Sequence, residues 1–194
     1  MFKEIEEYAH KENIPIMLPD GIEYLCNYIK KNNIKKILEI GSAIGYSAIR
    51  MASISPDIHI TTIEKDLERY NIARENIKKY HLENQIEIIL GDALETNISG
   101  TYDLLFIDAS KGHNIDFFEK YRSNLSKCGI IVTDNLHFHG LVQDENLIKT
   151  KNQRSLVKKI RNFINFLNQN EEYHTEYIDV GDGLSISYLK NNKN

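Results

Sequence analysis

Cysteine is scarce: Cys26 and Cys128 stand far apart in a chain of 194 residues. That excludes a disulfide framework and a CxxC metal site, and both read as buried thiols. Proline is almost as rare. Pro15, Pro19 and Pro56 each fall near the edge of an expected helix or strand, so no proline-rich linker divides the chain. Long apolar runs are missing as well: the longest, such as residues 104–107 and 130–132, fall far short of the roughly 20 residues needed to cross a bilayer. The first ten residues, MFKEIEEYAH, mix charged with apolar groups and lack the core of a secretory signal, so a cytoplasmic location is expected. Neither charge dominates, with 24 Lys and Arg against 28 Asp and Glu, a formal charge of −4. This composition excludes wholesale disorder, a collagen repeat and a histone-like basic surface, and the length fits a single domain over residues 1–194.

What is present is an alternation of two periods. β-rich runs at 36–40, 58–63, 86–90, 102–107 and 129–133 are separated by stretches at 46–53, 66–81, 113–125 and 155–168 that place apolar residues three and four apart. That rhythm predicts an α/β domain with a mainly parallel, doubly wound sheet and helices on both faces. Two further runs, 173–179 and 184–189, are joined only by Val180-Gly181-Asp182-Gly183 and read as a terminal antiparallel hairpin. Residues 1–33 read as helical cover, with Asp20-Gly21 just ahead of an amphipathic run to Lys31.

Chemistry concentrates where strands end. Glu39-Ile40-Gly41-Ser42-Ala43-Ile44-Gly45-Tyr46-Ser47 runs from a buried strand through a glycine turn into a helix, so free backbone N–H groups reach the carboxyl edge of the sheet. The GxxxG spacing of Gly41 and Gly45 is neither GxGxxG nor GxxxxGK[ST], which weakens the dinucleotide and nucleoside-triphosphate readings. Glu39 could hold a cationic amino group, directly or through water. Glu64, ending the second strand, could accept two hydrogen bonds from a ribose diol, and Asp92, after the third, one from the exocyclic amine of adenine. An adenosine-containing cofactor fits that set. At the ends of the fourth and fifth strands, Asp108, Asp134 and Asn135 would converge as three hard oxygen donors, a partial coordination sphere suited to Mg²⁺. Lys111, three residues beyond Asp108, could face the same opening and take a proton.

Glu39-x-Gly41-x-x-x-Gly45-Tyr46-Ser47, Asp108-x-x-Lys111 and Asp134-Asn135 together resemble the cation-dependent, S-adenosylmethionine-using O-methyltransferases of the catechol and caffeoyl-CoA type. Pro15-Ile16-Met17, Gly140-Leu141-Val142 and Val180-Gly181-Asp182-Gly183-Leu184 are most similar to a bacterial branch that methylates tRNA 5-hydroxyuridine at the wobble position. The resemblance implies a class I methyltransferase fold, a homodimer, S-adenosylmethionine and Mg²⁺ as cofactors, and formation of 5-methoxyuridine. It assigns Met17, Ser47, Glu64, Ala93 and Asp108 to the cofactor, beside Gly41 and Ser42 of the glycine turn and Asp92, and Asp108, Asp134 and Asn135 to the metal. Asp108 and Lys111 become the catalytic pair. Leu136-His137-Phe138-His139 departs from the pattern, and its HxH has no cysteine nearby to complete a zinc site.

The acceptor is the open choice. In 5-hydroxyuridine the hydroxyl neighbours the C4 carbonyl, as the two oxygens of a catechol neighbour one another, so both acceptors suit one metal site. Lys149, Lys151, Arg154 and Lys158 head a basic stretch that runs to Arg161 without an acidic residue. It reads as an RNA contact, the alternatives being a solvated helix face on an enzyme of small catechol-like metabolites and, more distantly, a noncatalytic or oxidoreductase nucleotide-binding domain.

Overall fold

Strands β1 (Lys36–Ile40) and β4 (Tyr102–Ile107) hold the middle of the sheet because nearly every side chain along them is buried, as apolar runs covered on both faces require. In the computed structural model, which describes residues 2–190, they pair in parallel with Ile37 opposite Leu104 and Ile40 opposite Ile107. Strands β2 (His59–Glu64) and β3 (Ile86–Leu90) extend the sheet from β1, and β5 (Leu125–Thr133) extends it from β4, all parallel. The hairpin of β6 (Tyr173–Ile178) and β7 (Leu184–Leu189) closes that side, with β7 antiparallel to β5. The resulting order is β3-β2-β1-β4-β5-β7-β6. Connections leave β1 and β4 in opposite directions, which opens a crevice above their carboxyl ends.

Successive residues along a strand point to opposite faces, and the two faces are covered by different helices. Ile37, Ile60 and Leu104 pack beneath α1 (Lys3–Lys11), α2 (Pro19–Lys31) and α3 (Tyr46–Ala52), joined by Ile77 of α4 (Leu67–Lys79). Leu38, Leu105 and Ile131 pack beneath Phe118 of α5 (Asn114–Tyr121) and Ile160 and Phe163 of α6 (Lys151–Gln169). The mainly parallel sheet, its hairpin and helices on both faces are therefore as expected.

Several boundaries differ from the sequence expectation for physical reasons. Pro19 occupies the first turn of α2, where its missing N–H costs nothing, so Asp20-Gly21 lie inside the helix rather than ahead of it. The single helix expected at 113–125 is cut at both ends: 3-10 turns at Lys111–His113 and Arg122–Asn124 flank α5, and Leu125 joins β5 opposite Tyr102. Ile130 then pairs with Leu104, so residues 126–129 bulge from the ladder. Cys128 stands exposed in that bulge and only Cys26 is partly buried, which corrects the expectation of two buried thiols. Helix α6 begins four residues early because Thr150 and Gln153 form a reciprocal capping box. Residue 1 and residues 191–194, the ends of the expected 1–194 domain, lie outside the described residues. Among the described residues no helix is long and apolar enough to cross a membrane.

Candidate active site

The residues just beyond the parallel strands are held in register by one further backbone hydrogen bond each. Gly41 N donates to Ile63 O at 3.0 Å, Asp108 N to Ile40 O at 3.0 Å, Asp134 N to Ile107 O at 3.2 Å, and Gly91 N to Glu64 O at 2.9 Å. The sheet thus lines up the candidate side chains along a single edge. Gly41 is required there: its φ is +93°, and a Cβ would lie 2.4 Å from the Asp108 carbonyl oxygen.

A cavity of about 580 Å³ opens above this edge, lined among others by Met17, Gly41, Ser42, Ser47, Glu64, Asp92, Ala93, Asp108, Lys111 and Asn135. Its size is that of a small-molecule site. Glu64 is nearly buried and braces the glycine turn, with Oε2 accepting from Ala43 N at 2.8 Å and Oε1 from Lys65 N and Asp66 N at 2.9 Å each. Asp92 Oδ1 accepts from Leu94 N within its own turn at 2.9 Å. Met17 lines the cavity and is buried, and the buried Oγ of Ser42 has no hydrogen-bond partner among the described residues.

Glu39 lies behind the cavity wall rather than on it. The same alternation that turns Leu38 and Ile40 toward α5 and α6 turns Glu39 toward α3, where it is fully buried. Its Oε1 accepts from Ser47 Oγ and its Oε2 from Thr62 Oγ1, each at 2.5 Å. Burial pushes the carboxyl up to about 7; the charges of Asp108 and Glu64 add to this, and the two hydroxyl hydrogen bonds oppose it. The folded-state value stands above the ordinary 4.5. The stability that Glu39 contributes is therefore complete below that ordinary value and is lost as pH rises through about 7. Glu39→Gln is expected to raise the cofactor-free melting temperature at pH ~8 by on the order of 5 °C, with no gain near pH ~4. Calorimetry at the two pH values checks it.

Asp108, Asn135 and Lys111 meet at one point of the cavity wall. Lys111 Nζ donates to Asp108 Oδ1 at 3.1 Å and also to Asn135 Oδ1, so both oxygens already face a single positive charge. Asp134 stands directly behind, nearly buried, and burial followed by the negative charge of Asp108 holds its carboxyl well above the usual range. A carboxylate and an amide carbonyl that converge on a cation, with a second carboxyl directly behind them, have the donor chemistry of a hard-metal site. Among the described residues no group of three or more His, Cys, Asp or Glu is placed to hold a metal, so any such site depends on the Asn135 amide.

Residues 1–190 match the model of the O-methyltransferase family. The chain belongs to that family. It is 40% identical to a candidate caffeoyl-CoA O-methyltransferase of known structure from Staphylococcus aureus, covering 97% of this chain and 91% of that one with a TM-score of 0.92. An O-methyltransferase from Bacillus cereus, solved in complex with SAH, is 26% identical over 97% of this chain and 90% of that one, with a TM-score of 0.82. Catechol O-methyltransferase from Niastella koreensis is 31% identical over 169 residues, 80% of this chain and 74% of its own. The likeness is thus to S-adenosylmethionine-dependent O-methyltransferases of the caffeoyl-CoA and catechol type.

In this O-methyltransferase several site residues escape sequence reading. Thr62 pairs with Glu39 in register across β1 and β2, a contact visible only once the strands are aligned. His113 and His139 line the cavity beside Lys111 and Asn135. Asp182 of the hairpin turn contacts Asn135, 47 positions away. The basic stretch, by contrast, divides. Lys149, Lys151, Arg154 and Lys158 are exposed and lie off the cavity wall, with the three helical ones opposite the buried Val157, Ile160 and Phe163. Arg161 is held by Glu145 and the Val142 carbonyl. Lys159 reaches the 3-10 turn of Lys111, where a Cβ on Gly112 would come within 2.9 Å of its Nζ.

Proposed function

We propose that this O-methyltransferase moves the methyl group of S-adenosylmethionine to a ring hydroxyl, with Mg²⁺ held by Asp108, Asp134 and Asn135, and that its acceptor is 5-hydroxyuridine at the wobble position of tRNA. The observation that carries the metal reading is the convergence of Asp108 Oδ1 and Asn135 Oδ1 on one positive charge, the Lys111 ammonium. A hard divalent cation suits the same oxygens, and its charge would stabilise the acceptor oxyanion. On this reading Gly41, Ser42, Ser47, Glu64, Asp92 and Ala93 form the cofactor side, with Met17 closing over it. Glu39 acts through Ser47 rather than by touching the ligand. Lys111, released from Asp108 and Asn135 and having given up one proton to solvent, takes the hydroxyl proton as a neutral amine while the oxygen attacks the methyl carbon in line with the departing sulfur. Asp108 belongs to both sides.

The tRNA acceptor is supported by the exposed, outward row of Lys151, Arg154 and Lys158 and by Lys159 beside the Lys111 turn. A homodimer belongs to the same reading and rests on the resemblance to the tRNA-modifying branch, and a cytoplasmic location rests on the absence of a signal core in the first ten residues. A small catechol is the second reading, favoured by the catechol O-methyltransferase relative. The test is to incubate the purified protein, Mg²⁺ and S-adenosylmethionine with tRNA bearing 5-hydroxyuridine and to analyse the nucleosides by mass spectrometry. Formation of 5-methoxyuridine is expected. Unchanged tRNA from a preparation that methylates a catechol efficiently makes the small-molecule reading the right one.

A further inference from the structure

The turn between β6 and β7 lies beside the carboxyl end of β5, next to the candidate metal donors. Asp182 is buried there, 5% exposed, although it belongs to a loop. Its Oδ2 accepts from Asn135 Nδ2 at 3.1 Å and its Oδ1 from His139 N at 2.6 Å, while its own carbonyl accepts from His137 N at 2.8 Å. The adjoining Gly183 carbonyl accepts from Leu136 N at 3.0 Å. Gly181 N donates to Asp20 Oδ2 at 3.2 Å, so the turn is fastened to α2 as well. Gly183 has φ +82°, and a Cβ there would lie 2.6 Å from the His137 ring, which leaves glycine as the residue that fits. The whole segment 135–139 is thereby moulded on the hairpin turn.

We propose that Asp182 is a positioning residue that fixes the rotamer and the amide orientation of Asn135, so that the Asn135 carbonyl oxygen faces the cation position. An asparagine amide has a donor end and an acceptor end of nearly the same shape, and nothing intrinsic to the side chain selects between them. An ionised carboxylate only accepts. With Asp182 on one side, the NH₂ must turn toward it and the oxygen must turn away, toward Asp108 and Lys111. A partner that could itself donate would let the amide flip and bring N–H groups against a cation. Asn135 also has φ +66°, a backbone conformation that costs an L residue energy and is held by the same hairpin contacts. Groups that orient a metal ligand typically change metal affinity 10–100-fold when altered. The role rests on the metal reading above, and its test separates the two.

Mn²⁺, a paramagnetic hard cation, is titrated into the purified protein and its binding followed by electron paramagnetic resonance, with S-adenosylmethionine affinity measured in parallel by calorimetry. Asp182→Asn should weaken Mn²⁺ binding by about tenfold and leave S-adenosylmethionine affinity unchanged, which also shows the variant to be folded. In an Asn135→Ala background the same substitution should change Mn²⁺ affinity by less than about twofold, because the group through which it acts is gone. Activity of Asp182→Asn should recover as Mn²⁺ is raised, a shift in the metal requirement rather than in the limiting rate. Wild-type protein that takes up no Mn²⁺ overturns the metal site and this role together. Wild-type-like binding by Asp182→Asn overturns the role of Asp182 alone, and an undiminished effect in the Asn135→Ala background overturns the route through Asn135.

Discussion

Asp134→Ala is expected to slow methyl transfer by about a thousandfold at saturating S-adenosylmethionine, because charge stabilisation at the acceptor oxygen contributes several kcal/mol to such reactions. The dissociation constant for S-adenosylmethionine should change little, since Asp134 stands behind the cavity surface and its backbone register is set by Ile107. Nor should the fold suffer. Burial and the neighbouring Asp108 make an ionised carboxyl at position 134 unfavourable, so its removal takes away no stabilising charge from the fold. Asp134→Asn keeps the shape without the charge and should lose activity to a similar degree, and a chelator added to the wild-type protein should reproduce both losses. Stopped assays of methyl transfer, with calorimetry for the cofactor, check this. A variant that keeps more than about a tenth of the wild-type rate is incompatible with a ligand at this position.

How much of this is legible in the sequence depends on how local each cause is. The parallel strands are legible because Lys36–Ile40 and Tyr102–Ile107 are short apolar runs bounded by turns, whereas their order appears only in the pairing of the folded sheet. The bulge in β5 is not, because Ser126, Lys127 and Cys128 interrupt the apolar pattern, and only the pairing of Leu125 with Tyr102 reveals the longer strand. Helix α6 reads as starting late because its first turn is polar and begins on a cap rather than on an apolar residue. At the candidate site, the positions of Asp108 and Asp134 are legible because each follows a strand end directly, so the sheet itself aligns them, and Asn135 comes next in the chain. Glu39 reads as facing the crevice, yet strand alternation sends it toward α3, and its partners Ser47 and Thr62 come from two other elements. Asp182 has a visible motif and no visible purpose, since its contact with Asn135 exists only after β7 has inserted beside β5.

Removing the charges of Lys151, Arg154 and Lys158 together is expected to lower kcat/KM for hydroxyuridine-bearing tRNA by about one to two orders of magnitude at moderate salt, and to leave that for a small catechol unchanged. The three side chains share the exposed side of α6, away from the cavity, so they can meet a phosphate backbone but not a ligand that fills the pocket. Every phosphate left without its cation should also make the logarithmic dependence on salt shallower by about 0.7–0.9, which separates a backbone contact from a general loss of stability. Lys159→Ala should act in the same direction, because its ammonium lies against Gly112 at the turn that carries Lys111. Lys111→Ala differs in kind. It should reduce turnover of tRNA and catechol alike by about two to four orders of magnitude, as expected for a group that takes the hydroxyl proton whatever the acceptor. Steady-state kinetics on both substrates across a salt series discriminates the cases. Equal losses on tRNA and catechol in the triple variant would make the outward row a solvated helix face and leave the acceptor to be defined by the pocket alone.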